Sequence, residues 1–292
     1  MQTPGKVGKK GTFCPSESLR EKLEFQEGYA VYHVVKNKNL LMLKTPSVTL
    51  SDDSTSKLTK EDIESSATLL MFNDLLKLLN RLNGQDIKRM LDIGCGYGGL
   101  AKTIANYLYI PEVYGLDRDP IRLEMAKKRL QTVKLNVEQK FPFRENIFDL
   151  ITSFGVLEHL TYFDNVIQEA HRVLKDGGYF LISVPNLASY VNRIMLLFGY
   201  QLRDVEISRE VVVGLAKRYY DKPLRPIVHI HTLTLAALKE LLEFYGYEIV
   251  AVRGGSPRYE ISHVSLLVRV ADLLFSWRPS LCRRIFVLAR KS

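Results

Sequence analysis

Between Arg89 and Gly99 the chain reads Arg-Met-Leu-Asp-Ile-Gly-Cys-Gly-Tyr-Gly-Gly, an apolar strand-like run that breaks into four glycines within six residues. A helical pattern, Gly99 to Tyr109, follows at once. Glycines packed this densely suit a turn that needs unusual backbone angles and a main chain that a ligand approaches without a Cβ in the way. The start of the next helix offers unpaired amides and a positive dipole end to an anion. Asp117, at the tip of the next strand-like run, stands 21 positions beyond Gly96, where a carboxylate can accept hydrogen bonds from ribose hydroxyls. The pattern therefore requires a strand–turn–helix–strand unit, and with it an α/β architecture.

The residues downstream repeat that alternation. Strands are predicted at Glu112 to Leu116, Val133 to Val137, Phe148 to Phe154 and Tyr179 to Val184. Asp119 caps a helix with Pro120 at its first position, and Leu123, Ala126 and Leu130 form its apolar stripe. A further helix carries Val166, Ala170 and Val173 and is expected to end at Gly177-Gly178. Such alternation gives a parallel sheet covered on both faces, with ligands bound at the carboxyl ends of its strands. Upstream, residues 1–58 read as an extension: a basic start at Met1 to Gly11 that lacks the apolar core of a secretory signal, a short charged helix from Ser16 to Glu27, and two strands, Tyr29 to Val35 and Leu40 to Lys44. Ser47 to Leu58 reads as a linker, and a helix from Thr59 to Leu79, stopped by Asn83-Gly84, opens the main domain, residues 59–292.

Hydrophobic residues at 46% are enough for a sizeable core, and no apolar stretch is long enough to cross a bilayer. Three cysteines, Cys14, Cys95 and Cys282, match neither a disulfide framework nor a zinc motif and point to a reducing, cytoplasmic setting. The net charge of +9 admits a nucleic acid or an anionic surface as a partner, although the chain contains no long basic block.

A Gly-x-Gly-x-x-Gly turn alone also suits dinucleotides. Asp92, two residues before the first glycine, argues otherwise, because a carboxylate there would repel a pyrophosphate but can pair with an ammonium group. The run Asp92-x-Gly94-x-Gly96-x-Gly98 resembles the signature of class I S-adenosylmethionine-dependent methyltransferases, and Gly115-Leu116-Asp117 their second acidic motif. Phe141-Pro142-Phe143, Phe148-Asp149, Val156-Leu157-Glu158-His159 and Arg172 to Gly178 resemble the small-molecule and ubiquinone-biosynthesis type. The resemblance implies a Rossmann-like, doubly wound, mostly parallel seven-stranded sheet, closed by Glu248 to Arg253 and an antiparallel last strand at Ile285 to Arg290. It also implies S-adenosylmethionine as cofactor. The amides of Gly94, Cys95, Gly96 and Gly98 would hold its methionine carboxylate and Asp117 its ribose diol. Arg118 would lie along the adenine, Asn136 and Val137 at the adenine edge, and Phe154 and Gly155 at the methyl-donor end.

Methyl transfer from a sulfonium mainly asks for alignment of the acceptor. A hydroxyl acceptor also asks for a base, for which His159 is the candidate, the alternative being that Glu158 and His159 only cap the strand end. His229 and His231 alternate in Val228 to Thr232. With no carboxylate or cysteine beside them at ligand spacing, no metal site is expected. Residues 187–232 exceed what the minimal fold needs, and Leu187 to Phe198 is strongly apolar, as a lid over an apolar acceptor or an extra core helix would be. The leading expectation is a methyltransferase acting on a small-molecule or lipid-like acceptor. The competitors are an RNA methyltransferase and a non-catalytic S-adenosylmethionine-binding regulator.

Overall fold

The computed structural model describes residues 72–215, 226–255, 274–275 and 277–292, together with the backbone of four strands nearer the N-terminus. Contacts divide the chain into two units, Met1–Thr59 and Lys60–Ser292. In the first unit β1 (Gly5–Val7) pairs antiparallel with β2 (Phe13–Pro15), and β3 (Tyr29–Lys36) with β4 (Asn39–Pro46), the hairpin expected from the sequence. The predicted Ser16 to Glu27 helix, the Ser47 to Leu58 linker and the first part of the Thr59 helix lie outside the described residues. The remainder of that helix is α1 (Phe72–Leu79), whose Leu75, Leu76, Leu78 and Leu79 are buried.

The second unit is built on one seven-stranded sheet. Its members in chain order are β5 (Arg89–Ile93), β6 (Glu112–Asp117), β7 (Gln131–Lys134), β8 (Phe148–Phe154), β9 (Leu174–Pro185), β10 (Tyr247–Gly255) and β11 (Arg284–Lys291). In space they run β10-β11-β9-β8-β5-β6-β7, and β11 is antiparallel to both of its neighbours while the other pairs are parallel. The order reverses beside β5, so a crevice opens where β5 ends and its glycine turn begins. Buried on both faces, the central strands are near-continuous apolar runs: Met90, Leu91 and Ile93 on β5, Leu150 and Ile151 on β8, Phe180 to Ile182 on β9 and Ile285 to Ala289 on β11 are at most 1% exposed.

The helices are α2 (Gly99–Leu108), α3 (Pro120–Ala126), α4 (Asp164–Val173), α5 (Tyr190–Leu197) and α6 (Leu235–Phe244). Asp119 caps α3 through Oδ1 on the amide of Ile121 at 2.8 Å, as its sequence position predicts. Two boundaries differ from the sequence reading. The third strand of the motif is Gln131–Lys134 rather than Val133 to Val137, which leaves Asn136 and Val137 in the loop beyond it. Helix α4 stops at Val173, not at Gly177-Gly178, because Leu174 already pairs with Phe148 and Lys175 holds Asp149 at 2.6 Å. The two glycines instead form an irregularity within β9, where four residues of that strand face one of β8. Leu130, read as part of the α3 stripe, lies past the end of the helix yet is buried, at 7% exposure.

Candidate active site

The glycine turn is held from inside by its neighbours. The amides of Gly94 and Cys95 both donate to the carbonyl of Leu116, at 2.8 and 2.9 Å, and the amide of Gly98 donates to the carbonyl of Cys95 at 2.8 Å. The amide of Gly96 donates to Oδ2 of Asp117 at 2.9 Å, while Oδ1 of the same carboxylate accepts the amide of Asp119 at 2.9 Å. These bonds correct the expectation that the amides of Gly94, Cys95, Gly96 and Gly98 are available to an anion. The free donors here are the first-turn amides of α2, which have no partner within the helix.

The glycines divide by what a Cβ would meet. At Gly94 it would strike Val156, and at Gly98 and Gly115 it would strike Leu130, so a side chain at any of the three forces a neighbour to shift. At Gly96, with φ +52°, it would meet nothing within 4 Å. Of the loop glycines up to Gly98, Gly96 alone faces open space, and it does so beside Asp117. This turn therefore fits a ligand carrying hydroxyls toward Asp117 and an anionic end toward α2.

Asp92 is buried at 4% exposure, with Oδ1 accepting the hydroxyl of Thr152 at 2.6 Å. Burial pushes its carboxyl up to about 7; the Thr152 bond opposes the shift, and the nearby Asp117 charge adds to it. Burial likewise raises the Cys95 thiol well above its ordinary range. Among the described residues no cation pairs with this buried carboxyl, an arrangement that suits a cationic ligand group. Arg118 and Asn136 are exposed at the same edge, Asn136 accepting the amide of Glu138 at 3.2 Å, and Val137 is buried. Phe154 ends β8 and is half-buried, and Gly155 follows it at φ +70°.

Beyond Gly155 the chain makes a single 3₁₀ turn, Leu157–His159. Glu158 is buried and accepts Nη2 of Arg284, on β11, through Oε1 at 2.9 Å, while its Oε2 has no hydrogen-bond partner among the described residues. The carbonyl of Glu158 accepts the amides of Ile230 at 2.7 Å and His231 at 3.2 Å, which lays the 228–231 segment against the turn. As a result the His159 and His229 rings stand 4.9 Å apart, centroid to centroid, and His159 Nδ1 lies 3.1 Å from the carbonyl of Val228. His231 instead packs on Phe163 and bonds the carbonyl of Thr161. Burial, followed by the neighbouring His159 and Arg284 charges, lowers His229 to about 3, so its ring is neutral near pH 7. The expectation that no carboxylate stands beside His229 is thus corrected: Glu158, His159 and His229 each place one ligand-type atom within 4.8 Å of the others. Spacing along the chain hides this group, because the fold brings its members together from β8 and the insertion.

The insertion supplies the adjoining cavity, about 310 Å³, whose wall mixes apolar residues such as Leu196, Leu202 and Ile230 with the polar Gln201, Glu206 and Thr232 and with His229. Helix α5 buries Tyr190 and Asn192 but leaves Ile194 43% and Leu197 80% exposed, and Phe198, just past its end, is 70% exposed. Tyr219, Tyr220 and the basic residues around them lie outside the described residues.

A family model described as a methyltransferase domain matches residues 68–252. Phthiotriol/phenolphthiotriol dimycocerosates methyltransferase of Mycobacterium leprae (strain TN) is 27% identical over 175 residues, spanning 57% of this chain and 62% of that protein. A Mycolicibacterium smegmatis (strain ATCC 700084 / mc(2)155) protein named "Probable S-adenosylmethionine-dependent methyltransferase" is 31% identical over 175 residues, spanning 59% and 56%. The chain thus matches less than two thirds of either relative's length. The crystal structure of an S-adenosylmethionine-dependent methyltransferase from Mesorhizobium loti shares the fold with a TM-score of 0.50 at 17% identity, over 75% of this chain and 98% of that one.

Proposed function

This chain belongs to the class I S-adenosylmethionine-dependent methyltransferases, and we propose that it methylates a small-molecule or lipid-like acceptor bound in the cavity beside His229. The observation that carries the reading is adjacency. Gly155, just past β8, stands where an added Cβ would lie 3.6 Å from the Glu158 carboxylate, and the Glu158–His159–His229 group leads from there, through His229, to the cavity.

On this reading Asp117 binds the ribose diol, while Asp92 and the first turn of α2 receive the ammonium and carboxylate of the methionine end. Arg118, Asn136 and Val137 border the adenine. Bound S-adenosylmethionine supplies a methyl group already activated on sulfur, so the chain's own task is to orient the acceptor and manage its proton. His159 presents Nδ1 to the carbonyl of Val228, which leaves Nε2 to take the proton of a hydroxyl acceptor. Leu187, Leu196, Leu202, Val205 and Ile230 give the cavity an apolar wall, and Gln201, Glu206 and Thr232 give it polar groups to orient the acceptor. The mycobacterial relative named for a dimycocerosate substrate supports a lipid-like acceptor. The buried free thiols of Cys95 and Cys282 support a cytoplasmic setting, and among the described residues no helix is long and apolar enough to cross a membrane.

The deciding experiment incubates the full chain with radiolabelled S-adenosylmethionine and fractionated host extract. Label in the lipid or small-molecule pool is the expected result. Label in RNA would transfer the reading to a nucleic-acid methyltransferase, and donor binding without any labelled product would leave a regulator.

A further inference from the structure

The grouping of Glu158, His159 and His229 does more than border a cavity. We propose that these three side chains form a binding site for one divalent cation of the zinc class. Two imidazoles and one carboxylate are the donor set of open zinc sites, in which a fourth position is left for water or substrate. Imidazole nitrogen selects zinc and its neighbours over magnesium or calcium, which prefer oxygen.

Three further features of the group match what such sites require. The first is a buried acceptor: Glu158 is only 3% exposed, and its Oε2 has no hydrogen-bond partner among the described residues. Arg284 holds the other oxygen at 2.9 Å and so fixes the carboxylate. The second is the setting of the imidazoles. His159 directs Nδ1 to the carbonyl of Val228 at 3.1 Å, whereas Nδ1 of His229 is buried with no hydrogen-bond partner among the described residues, Oδ1 of Asp204 standing 3.9 Å away. Metal-bound histidines typically turn their second nitrogen to such oxygens, which orients the ring and raises its basicity. The third is a second carboxyl beside the group, Asp204, which neighbours His229 while Arg203 is engaged by Glu206 at 2.6 Å.

The present spacing of up to 4.8 Å must contract by roughly 1.4 Å, to the ~3.4 Å that separates two donors each ~2.1 Å from one tetrahedral ion. His229 lines the cavity, so the open position of the ion faces the compartment assigned to the acceptor. Use of the ion in catalysis rests on that assignment; its binding does not, and while the ion is held Nε2 of His159 is a ligand and not the base for the acceptor.

The test uses the full chain, stripped with chelator and dialysed. Zinc is titrated calorimetrically, and cobalt is added as a probe whose visible absorption reports low-coordinate nitrogen and oxygen ligands. We expect one ion per chain, weakened more than about tenfold by His229→Ala and by His159→Gln, and unchanged in His231→Ala. The His159→Gln variant keeps the test open if His229→Ala lowers stability, which a thermal melt reads separately. Absence of saturable uptake overturns the proposal, as does uptake that survives both substitutions. A parallel titration with S-adenosylmethionine keeps the two readings apart. Zinc uptake without donor binding would sink the methyltransferase reading alone, and donor binding without zinc uptake would sink this inference alone.

Discussion

The carboxylate of Asp117 accepts the amide of Gly96 across 2.9 Å, so the second acidic motif builds the glycine turn before any ligand arrives. Its two oxygens are shared between Gly96 and Asp119, which makes Asp117 both a brace and a binding group. Replacing it with Ala is expected to weaken S-adenosylmethionine by about 10–100-fold, the value of charge-assisted bonds lost. Asn should recover part of that, since it can still accept one amide. Calorimetric titration of both variants checks this, and unchanged affinity in the Ala variant would remove Asp117 from the ribose.

Gly96 is the position where side-chain volume acts on the ligand and not on packing. Gly96→Val places a β-branched residue at φ +52°, a strained conformation costing about 1–3 kcal/mol, and fills the open space. Donor binding is expected to vanish while the fold persists. Gly98→Val should instead destabilise the chain strongly, because its side chain meets Leu130 and Ala126. Paired denaturation and binding curves separate the two outcomes, and a Gly96→Val protein that binds S-adenosylhomocysteine normally would show that the turn is not the site.

Asp92 supplies a pH dependence. Its carboxyl lies at about 7 in the ligand-free protein, raised by burial, so folding favours its protonated form. The stability it contributes is complete below the ordinary carboxylate range and is lost as pH rises through about 7. Donor binding should run the other way, because a cationic methionine end favours the ionised carboxylate. Affinity is expected to fall about tenfold per pH unit below 7 and to level off above it. Asp92→Asn should flatten that profile and remove the loss of stability near pH 7. An affinity independent of pH between 5.5 and 8 would place the ammonium elsewhere.

Much of this was legible in the chain because it depends on local chemistry. Four glycines in six residues, a capped helix starting at Pro120 and alternating apolar runs specify the βα units and the location of a ligand crevice. What stayed hidden depends on contacts distant in sequence. The crowding at Gly98 and Gly115 comes from Leu130, and the occupation of the loop amides comes from Leu116 and Asp117. The Glu158–His229 approach forms only because the 228–231 backbone bonds to the 3₁₀ turn. Helix α4 ends early for a similar reason, since sheet pairing at Leu174 overrides the helix stop written in Gly177-Gly178.

The Glu158–Arg284 pair joins the catalytic edge to the last strand. Both partners are largely buried, so Arg284→Met leaves an uncompensated carboxylate and should cost about 3–5 kcal/mol. Pairing it with Glu158→Gln should recover most of the loss. His159→Ala, by contrast, should leave stability and donor affinity near normal. For a hydroxyl acceptor it should lower methyl transfer by about 10²–10⁴-fold. Urea unfolding of the first set and single-turnover rates of the last check these expectations. A rate loss below roughly tenfold in His159→Ala would reduce it to a structural residue.

The insertion tests the nature of the acceptor. Across residues 187–232 its basic residues, Arg193, Arg203, Arg209, Lys217, Arg218, Lys222 and Arg225, are partly offset by Asp204, Glu206, Glu210 and Asp221, which leaves a modest excess within the chain's net +9. Its apolar side chains are instead exposed: Leu196 at 59% borders the cavity, and Leu197 and Phe198 continue the same surface. Exposed apolar area of this kind needs a core, a ligand or a membrane to cover it, and beside the cavity it suits an apolar acceptor. Leu196→Asp is expected to raise the acceptor KM by at least about tenfold, as a charge replaces buried apolar contact, with donor affinity unchanged. Salt distinguishes the alternatives further. Binding through several phosphates should weaken by about 10³-fold or more between low and moderate salt, whereas an apolar acceptor should be held equally at both. A steep salt dependence of acceptor binding, with label recovered in RNA and Leu196→Asp without effect, would overturn the lipid-like reading. The net charge would then have to act through residues other than those lining this cavity.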